Sequence, residues 1–338
     1  MIKVGIVGIS GYSGYALLKI LLNHPKVRVT YVSANNTQGM IDDIWPQLKG
    51  RTHLLCNKYD PSKAKNCDLV FLAVPHTVAM KIAPQLLAKN IRIIDISADY
   101  RLDQASTYKK WYGQTHQDKT NLKKAIYGLP ELYRGRIKNA NLVANPGCYP
   151  TAALLALAPL VGTQPKNVSS IIIDAKSGVS GAGKKAVSAM MFCEINENLK
   201  AYKVLNHQHA PEIELYLSKI AGKNMPICFV PHLIPISIGL LETIYVSLKT
   251  KPSLTKLLQL YKRFYKKEPF VRILDKGQQP ELKHVNGTNM CDIGLTVSED
   301  KKILVITAAI DNLIKGAAGQ AVQNMNIMNN YKEIEGLL

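Results

Sequence analysis

Carboxylates are scarce in this chain: 24 Asp and Glu stand against 43 Lys and Arg, giving a formal charge of +19. Such an imbalance steers anionic small molecules toward the surface. The lysines are spread along the chain and no RNA- or DNA-binding motif accompanies them, so no nucleic-acid partner is expected. The densest basic stretch, residues 262–267, reads as the solvated face of a helix. Long apolar runs are missing as well. None reaches the ~18 residues that a membrane-spanning helix needs, and no membrane partner is expected. The chain opens directly on a strand and shows no signal-peptide anatomy, which makes the cytoplasm the expected location. Six cysteines lie scattered among 338 residues with no CxxC pair, so neither a zinc site nor a redox pair is expected, and reduced thiols fit. Internal repeats and low-complexity linkers are absent.

What is present is the composition of a globular enzyme-sized chain, 47% apolar and 20% charged, long enough for two domains. Up to about residue 145, short apolar strands alternate with amphipathic helices. Strands are expected at 2–7, 27–32, 69–74 and 91–96, with a helix at 15–22. That alternation predicts a parallel sheet with right-handed crossovers. From about 146 to 310 the strand-like runs 171–173, 227–230, 240–248, 271–274 and 304–307 have fewer helices between them, which predicts an α+β region with a mixed or antiparallel sheet. A helix is expected from 311 to about 331.

The first strand runs into Gly8-Ile9-Ser10-Gly11-Tyr12-Ser13-Gly14 and then a helix. Glycines at this spacing let the turn tighten and let backbone N–H groups approach a pyrophosphate at the helix start. A carboxylate at the end of the second strand would hold the ribose hydroxyl of NAD and repel a 2′-phosphate. Here that strand ends Ser33-Ala34-Asn35-Asn36-Thr37, with no acid, so NADP is the expected cofactor. Pro75 and His76 follow the third strand, at the edge where a dinucleotide would lie.

Cys148 sits in Asn145-Pro146-Gly147-Cys148-Tyr149-Pro150-Thr151, where a strand ends and a helix begins. A helix start carries partial positive charge and N–H groups, which stabilise a thiolate and can hold an oxyanion. A buried structural thiol is the alternative. His207-Gln208-His209-Ala210-Pro211-Glu212 puts an imidazole at another helix entrance, suited to proton transfer near neutral pH. Ser177-Gly178-Val179-Ser180-Gly181-Ala182-Gly183-Lys184 is a second glycine-rich loop. Arg101, closing Ser97-Ala98-Asp99-Tyr100-Arg101, is either an anion clamp or an ion-pair partner of Asp99 or Asp103.

These motifs, with Tyr127-Gly128-Leu129-Pro130-Glu131 and Pro231-His232-Leu233-Ile234-Pro235, occur in an order that resembles the N-acetyl-γ-glutamyl-phosphate reductases of arginine biosynthesis, relatives of aspartate-semialdehyde dehydrogenase. The resemblance spans essentially the whole chain. It implies a Rossmann-type NADP-binding domain from 1–147 with 312–338, and an α+β catalytic and oligomerisation domain with a mixed sheet from 148–311. It implies NADPH-dependent reduction of an acyl phosphate to an aldehyde through a thioester on Cys148. His209, or else His207, would be the acid/base. Arg101, Asn145, His207, Glu212 and Lys184 would hold substrate. Gly8, Ser10, Gly11, Tyr12, Ser13, Gly14, Ser33, Pro75, Ser177, Gly178, Gly181 and Asn312 would hold cofactor, Asn312 from a C-terminal helix reaching the nicotinamide. A homodimer or homotetramer is expected. The family commonly carries arginine where this chain has Asn35, and again before Gly239 where it has Ile238. Lys184 or Lys185 would then serve the substrate carboxylate. Reduction of a related aminoadipyl or aspartyl phosphate, or a non-catalytic dinucleotide sensor, are the competing readings.

Overall fold

The computed structural model describes residues 1–299 and 302–338. The chain folds as two units, Met1–Gly147 with Ala317–Leu338, and Cys148–Gly316. The return to the first unit lies at Ala317, five residues beyond the expected 312.

The first unit holds a six-stranded sheet. Its strands are β1 (Ile2–Val7), β2 (Val27–Ser33), β3 (Leu69–Leu72), β4 (Arg92–Asp95), β5 (Ile126–Tyr127) and β6 (Leu142–Ala144). Their spatial order is β2-β1-β3-β4-β6-β5, and every pairing is parallel. All four residues of β3 are buried, as a central parallel strand covered on both faces requires. Helices α1 (Tyr12–Leu21) and α2 (Ala79–Leu87) are crossovers whose apolar faces close this core.

The second unit opens with α3 (Cys148–Thr163), apolar on all sides and buried over nearly its whole length, which marks it as the central helix of the unit. Its seven strands are β7 (Val168–Gly178), β8 (Lys200–Ala201), β9 (Cys228–Ile234), β10 (Leu240–Leu248), β11 (Val271–Ile273), β12 (Cys291–Val297) and β13 (Ile303–Ile310). They lie in the order β8-β9-β7-β10-β13-β12-β11. The sheet is mixed: β7–β9 and β11–β12 pair in parallel, the rest antiparallel. Alternate residues of β10 are buried, the period-2 pattern of a sheet with one covered face. Two longer helices follow α3 in this unit, α4 (Ala210–Ala221) and α5 (Leu254–Phe264). Lys262, Arg263, Lys266 and Lys267 are all exposed there.

The expected C-terminal helix is interrupted. Residues Ile314–Ala318 form a π-helical turn before the regular helix Gly319–Met328. The Asp311 carboxylate accepts from the Leu313 and Ile314 amides and so starts the turn locally. Strand β12 escapes sequence reading because Asp292 and Gly294 break its apolar pattern. Asp292 is buried against Arg272. A side chain at Gly294 would meet Gln279 at 2.8 Å and Thr307 at 2.9 Å.

Candidate active site

In the first unit, the loop after β1 is built for close approach. Gly8 has φ +100°, and a methyl group there would stand 2.1 Å from the Ala73 carbonyl oxygen. At Gly14 it would stand 2.3 Å from the Gly8 oxygen. Gly11 differs: the nearest atom to its methyl group would be 3.7 Å away, so the loop is open on that side. Gly11 caps α1, so the N–H groups of the first turn, from Tyr12, Ser13 and Gly14, present themselves at the loop as at any helix start. Ser10, Gly11, Tyr12 and Ser13 are all partly exposed. Trp45 braces the loop from outside, donating to the Ile9 oxygen at 3.1 Å and stacking on Tyr15. These residues fit a dinucleotide pyrophosphate.

Ser33 takes a different part from the one expected. It is fully buried, and its carbonyl accepts from the Gly8 and Ile9 amides at 2.7 and 3.1 Å. It shapes the loop, and its hydroxyl is closed to a cofactor. Asn35 and Asn36 are exposed beyond it, as are Pro75 and His76 after β3.

Arg101 and Asn145 are buried, 7% and 0% exposed. The Arg101 guanidinium donates from Nε to the Asn145 oxygen and from Nη2 to the Ile96 oxygen, both at 2.8 Å. Those two bonds hold backbone ahead of Cys148. The Asp99 carboxylate accepts from the Thr77 and Met80 amides and from Tyr108 Oη. Burial, with Asp99 beside it, pushes Asp95 up to about 7. Asn145 is likewise shut off from solvent in this unit.

In the second unit, Cys148 is the first residue of α3 and is half-buried. The expected strand–turn–helix setting places it where helix N–H groups and dipole favour a thiolate. Around it stands an aromatic cluster. Tyr149 and Tyr202 bring their hydroxyls to 3.2 Å. Burial pushes Tyr202 up to about 12 and Tyr149 higher still, and the neighbouring Cys148 adds to both. His207 lies edge-on to Tyr149, Tyr202 and Phe229.

The two histidines are distinguished by environment. His207 is buried, and desolvation, with Lys203 second, lowers it to about 4. Its Nδ1 accepts from the His209 amide at 3.1 Å, which fixes the tautomer with the proton on Nε2. A ring that stays neutral to pH 4 has little capacity to shuttle protons near 7. His209 is half-buried at the N-cap of α4, its ring 4.8 Å from His207 and 5.7 Å from Tyr149. Glu212, in the first turn of α4, is 1% exposed.

Three expected cofactor contacts are closed. Ser177 and Gly178 are buried, and a methyl group on Gly178 would stand 2.8 Å from the Ser237 oxygen. Asn312 lies in the second unit, in the turn after β13. Its Oδ1 accepts from the Gly239 amide at 2.7 Å and its Nδ2 donates to Ser180 Oγ at 2.9 Å. Both ends of the amide are used to tie loops together, so it does not ride a helix to the nicotinamide. Gly181 and Lys184 remain exposed on the same loop.

Sequence reasoning passed over Gly316. It lies in the π-helical turn directly against Cys148. A glycine inside an expected helix was the available signal.

A family model described as "Semialdehyde dehydrogenase, NAD binding domain" matches residues 3–140, and one described as "Semialdehyde dehydrogenase, dimerisation domain" matches 148–312. An N-acetyl-gamma-glutamyl-phosphate reductase of Geotalea daltonii is 49% identical over 340 aligned positions, covering 100% of this chain and 98% of that protein. The protein of the same name from Desulfotalea psychrophila is 47% identical with the same coverage. Among solved structures, aspartate semialdehyde dehydrogenase II of Vibrio cholerae superposes with a TM-score of 0.74 at 15% identity, covering 98% of each chain. The Candida albicans aspartate semialdehyde dehydrogenase with NADP gives 0.71 at 15%, covering 97% of this chain and 98% of that one.

Proposed function

The chain belongs to the N-acetyl-gamma-glutamyl-phosphate reductases of the semialdehyde dehydrogenase family, and from that premise we propose how its own residues carry out the reduction of N-acetyl-γ-glutamyl phosphate to N-acetylglutamate 5-semialdehyde and phosphate. The observation that carries the reading is Cys148 as the first residue of α3, with the rings of half-buried His209 and of His207, which burial keeps neutral near pH 7, edge-on to the next residue, Tyr149.

The Cys148 thiolate attacks the acyl carbon, and amide N–H groups at the start of α3 hold the oxyanion. The carbon–oxygen bond to phosphate breaks, phosphate leaves, and a thioester on Cys148 remains, which divides one hard step into two easier ones. The loop from Gly8 to Gly14 would hold NADPH, whose chemistry when bound would be the hydride for the second step. His209 gives a proton to the oxyanion formed at the thioester carbon. It takes the proton back as the thiohemiacetal collapses, which expels the thiolate and releases the aldehyde. His207 accepts from the His209 amide and orients the segment without titrating.

Lys184 and Lys185 stand exposed on the second glycine-rich loop and supply positive charge for the substrate's carboxylate, in a chain with Ile238 where the resemblance implies an arginine. The protein acts on a small molecule as an oligomer. The uncovered face of the second sheet supports a homodimer or homotetramer: Ile172 and Tyr245 lie opposite one another there, 43% and 41% exposed. No helix among the described residues is long and apolar enough to cross a membrane, and the cytoplasm is the proposed location.

The reverse reaction tests the reading. Purified protein is given N-acetylglutamate semialdehyde, phosphate and NADP, with NADPH absorbance followed. Phosphate-dependent NADPH formation that disappears in Cys148→Ser is the expected result. Substantial turnover by Cys148→Ser would defeat the mechanism.

A further inference from the structure

The C-terminal helix Gly319–Met328 is unusual in what it buries. Gln320, Gln323, Asn324 and Asn326 are all fully buried, although amides carry a desolvation cost wherever they lack partners. Asn324 uses its amide in one direction only. Its Nδ2 donates to the Gly128 oxygen at 2.8 Å and to Asn145 Oδ1 at 3.0 Å.

The orientation of this chain of amides is forced. The Ala317 carbonyl can only accept, and Asn145 Nδ2 donates to it at 3.1 Å. Asn145 therefore turns its Oδ1 to Asn324, which must answer with Nδ2, and the Gly128 carbonyl demands the same group. Space is fixed as tightly: a methyl group on Gly128 would stand 2.5 Å from Asn324 Nδ2.

Asn145 is thereby held at all four of its polar groups. Its amide donates to the Asp95 oxygen at 2.8 Å and its carbonyl accepts from Arg101. Its side chain is held by Ala317 and Asn324. Three residues later the chain reaches Cys148, through Pro146, whose φ is fixed, and Gly147. A residue pinned on four sides directly before the nucleophile's helix sets where that helix starts.

We propose that Asn324 is a positioning residue: acting through Asn145, it fixes the Pro146-Gly147 entry to α3 and so the placement of the Cys148 sulfur. The inference rests on Cys148 being the nucleophile. Leucine at 324 keeps the branched outline of the side chain and removes both donors. Sub-ångström to ångström misplacement of a reacting group costs roughly ten- to hundredfold in rate.

The experiment uses the full chain as Asn324→Leu, with Asn324→Ala as a second variant and Cys148→Ser as control. The reverse-reaction kcat and the KM for NADP are measured. The rate of iodoacetamide alkylation at Cys148 is followed by peptide mass spectrometry, which separates it from the other thiols. The expected result is a kcat reduced roughly tenfold or more, an NADP KM within about twofold, and alkylation at Cys148 slowed in step with kcat. A folded Asn324→Leu protein with kcat and alkylation within about twofold of the parent would overturn the proposal. So would an equal loss of kcat with unchanged alkylation, since the sulfur would then be correctly placed. If Asn324→Leu does not fold, Asn324→Ala is judged by the same criteria. Turnover retained by Cys148→Ser would instead overturn the nucleophile reading, whatever the Asn324 variants do.

Discussion

A methyl group on Gly316 would lie 2.7 Å from Cβ of Cys148 and 3.2 Å from its Cα. The first of these is shorter than Cβ contacts in folded proteins come, so the turn Ile314–Ala318 and the start of α3 fit together as they stand only while residue 316 has no side chain. Gly316→Ala must push the start of α3 away. The expected outcome is a kcat lowered at least tenfold, the order of loss that misplacing a reacting group brings. NADP affinity, set by the loop after β1, should stay within about twofold. Fluorescence titration with NADPH beside steady-state kinetics separates the two. A variant with the parent's kcat would show that the turn yields in place of the nucleophile.

The two histidines of the His207-Gln208-His209 segment should respond oppositely to substitution. His207→Asn keeps an acceptor for the His209 amide and removes a titratable ring. His209→Asn removes the proposed acid/base. The first should retain most of its turnover, and the second should lose roughly a hundredfold or more. The pH profile of kcat should keep its limb near neutrality in His207→Asn. A profile whose limb vanishes in that variant would transfer the acid/base role to His207.

His207 also carries a stability prediction. Its folded pKa, about 4, lies below the ordinary 6.5, so the unfolded chain binds the proton more readily. Stability from this group is present above pH 6.5 and is lost as pH falls through 4. His24 and His116 are also lowered by burial and add in the same direction. Thermal unfolding of the parent should therefore move to lower temperature between pH 6.5 and 4. His207→Asn should flatten that slope by at most about 3 kcal/mol. An unchanged slope would mean that His207 is solvated in the folded protein.

Glu242 makes the opposite test. It lies on the buried face of β10, where register sets it between Ala175 and Ala308. It is fully buried, and neither carboxyl oxygen has a hydrogen-bond partner among the described residues. Burial holds its pKa well above the ordinary range. Below pH 4.5 folded and unfolded states are both protonated. As pH rises above that, the unfolded chain ionises while the folded one resists, and stability is lost. Glu242→Leu should raise the Tm at pH 7.5 by more than at pH 4. A gain of about 1–3 kcal/mol at pH 7.5 is the scale for removing an unpaired buried polar group. Equal Tm changes at both pH values would show that the carboxyl is not what limits stability.

The parts of the fold legible in the sequence are those where one local rule acts alone. Strand β1, the glycine loop and α1 follow one another with unbroken apolar patterning, and Leu240–Leu248 alternates cleanly. Strand β12 was not legible because Asp292 sits inside it, where its burial is matched by Arg272 across from it, a pairing only the tertiary fold supplies. The site divides along the same line. Cys148 and His209 show themselves because each stands at a helix start beside proline or glycine. Arg101, Asn145 and Asn312 have the right chemistry for ligand contacts, yet each also makes hydrogen bonds within the protein that only the tertiary fold supplies, and Ser33 is buried by it. Residue type announces the capacity to hydrogen-bond. It does not announce which acceptor has already claimed it.

The glycines of the cofactor loop separate folding from binding in one experiment. At Gly8 the conformation, φ +100°, and the Ala73 oxygen 2.1 Å from an added methyl group oppose any side chain. At Gly14 the obstacle is the Gly8 oxygen, 2.3 Å away. Both are backbone atoms that cannot step aside, so Gly8→Ala and Gly14→Ala should lower the Tm by several degrees, in line with a cost of about 2–3 kcal/mol. Gly11 has only one neighbour within reach, at 3.7 Å, and an ordinary φ of −82°. Gly11→Ala should leave the Tm within about a degree, since the protein has room for the methyl group. That same room is where a pyrophosphate would approach the helix start. The KM for NADPH should therefore rise roughly tenfold in Gly11→Ala with kcat little changed, the pattern of lost ground-state binding. An unaltered KM in a stable Gly11→Ala protein would place the dinucleotide away from this loop.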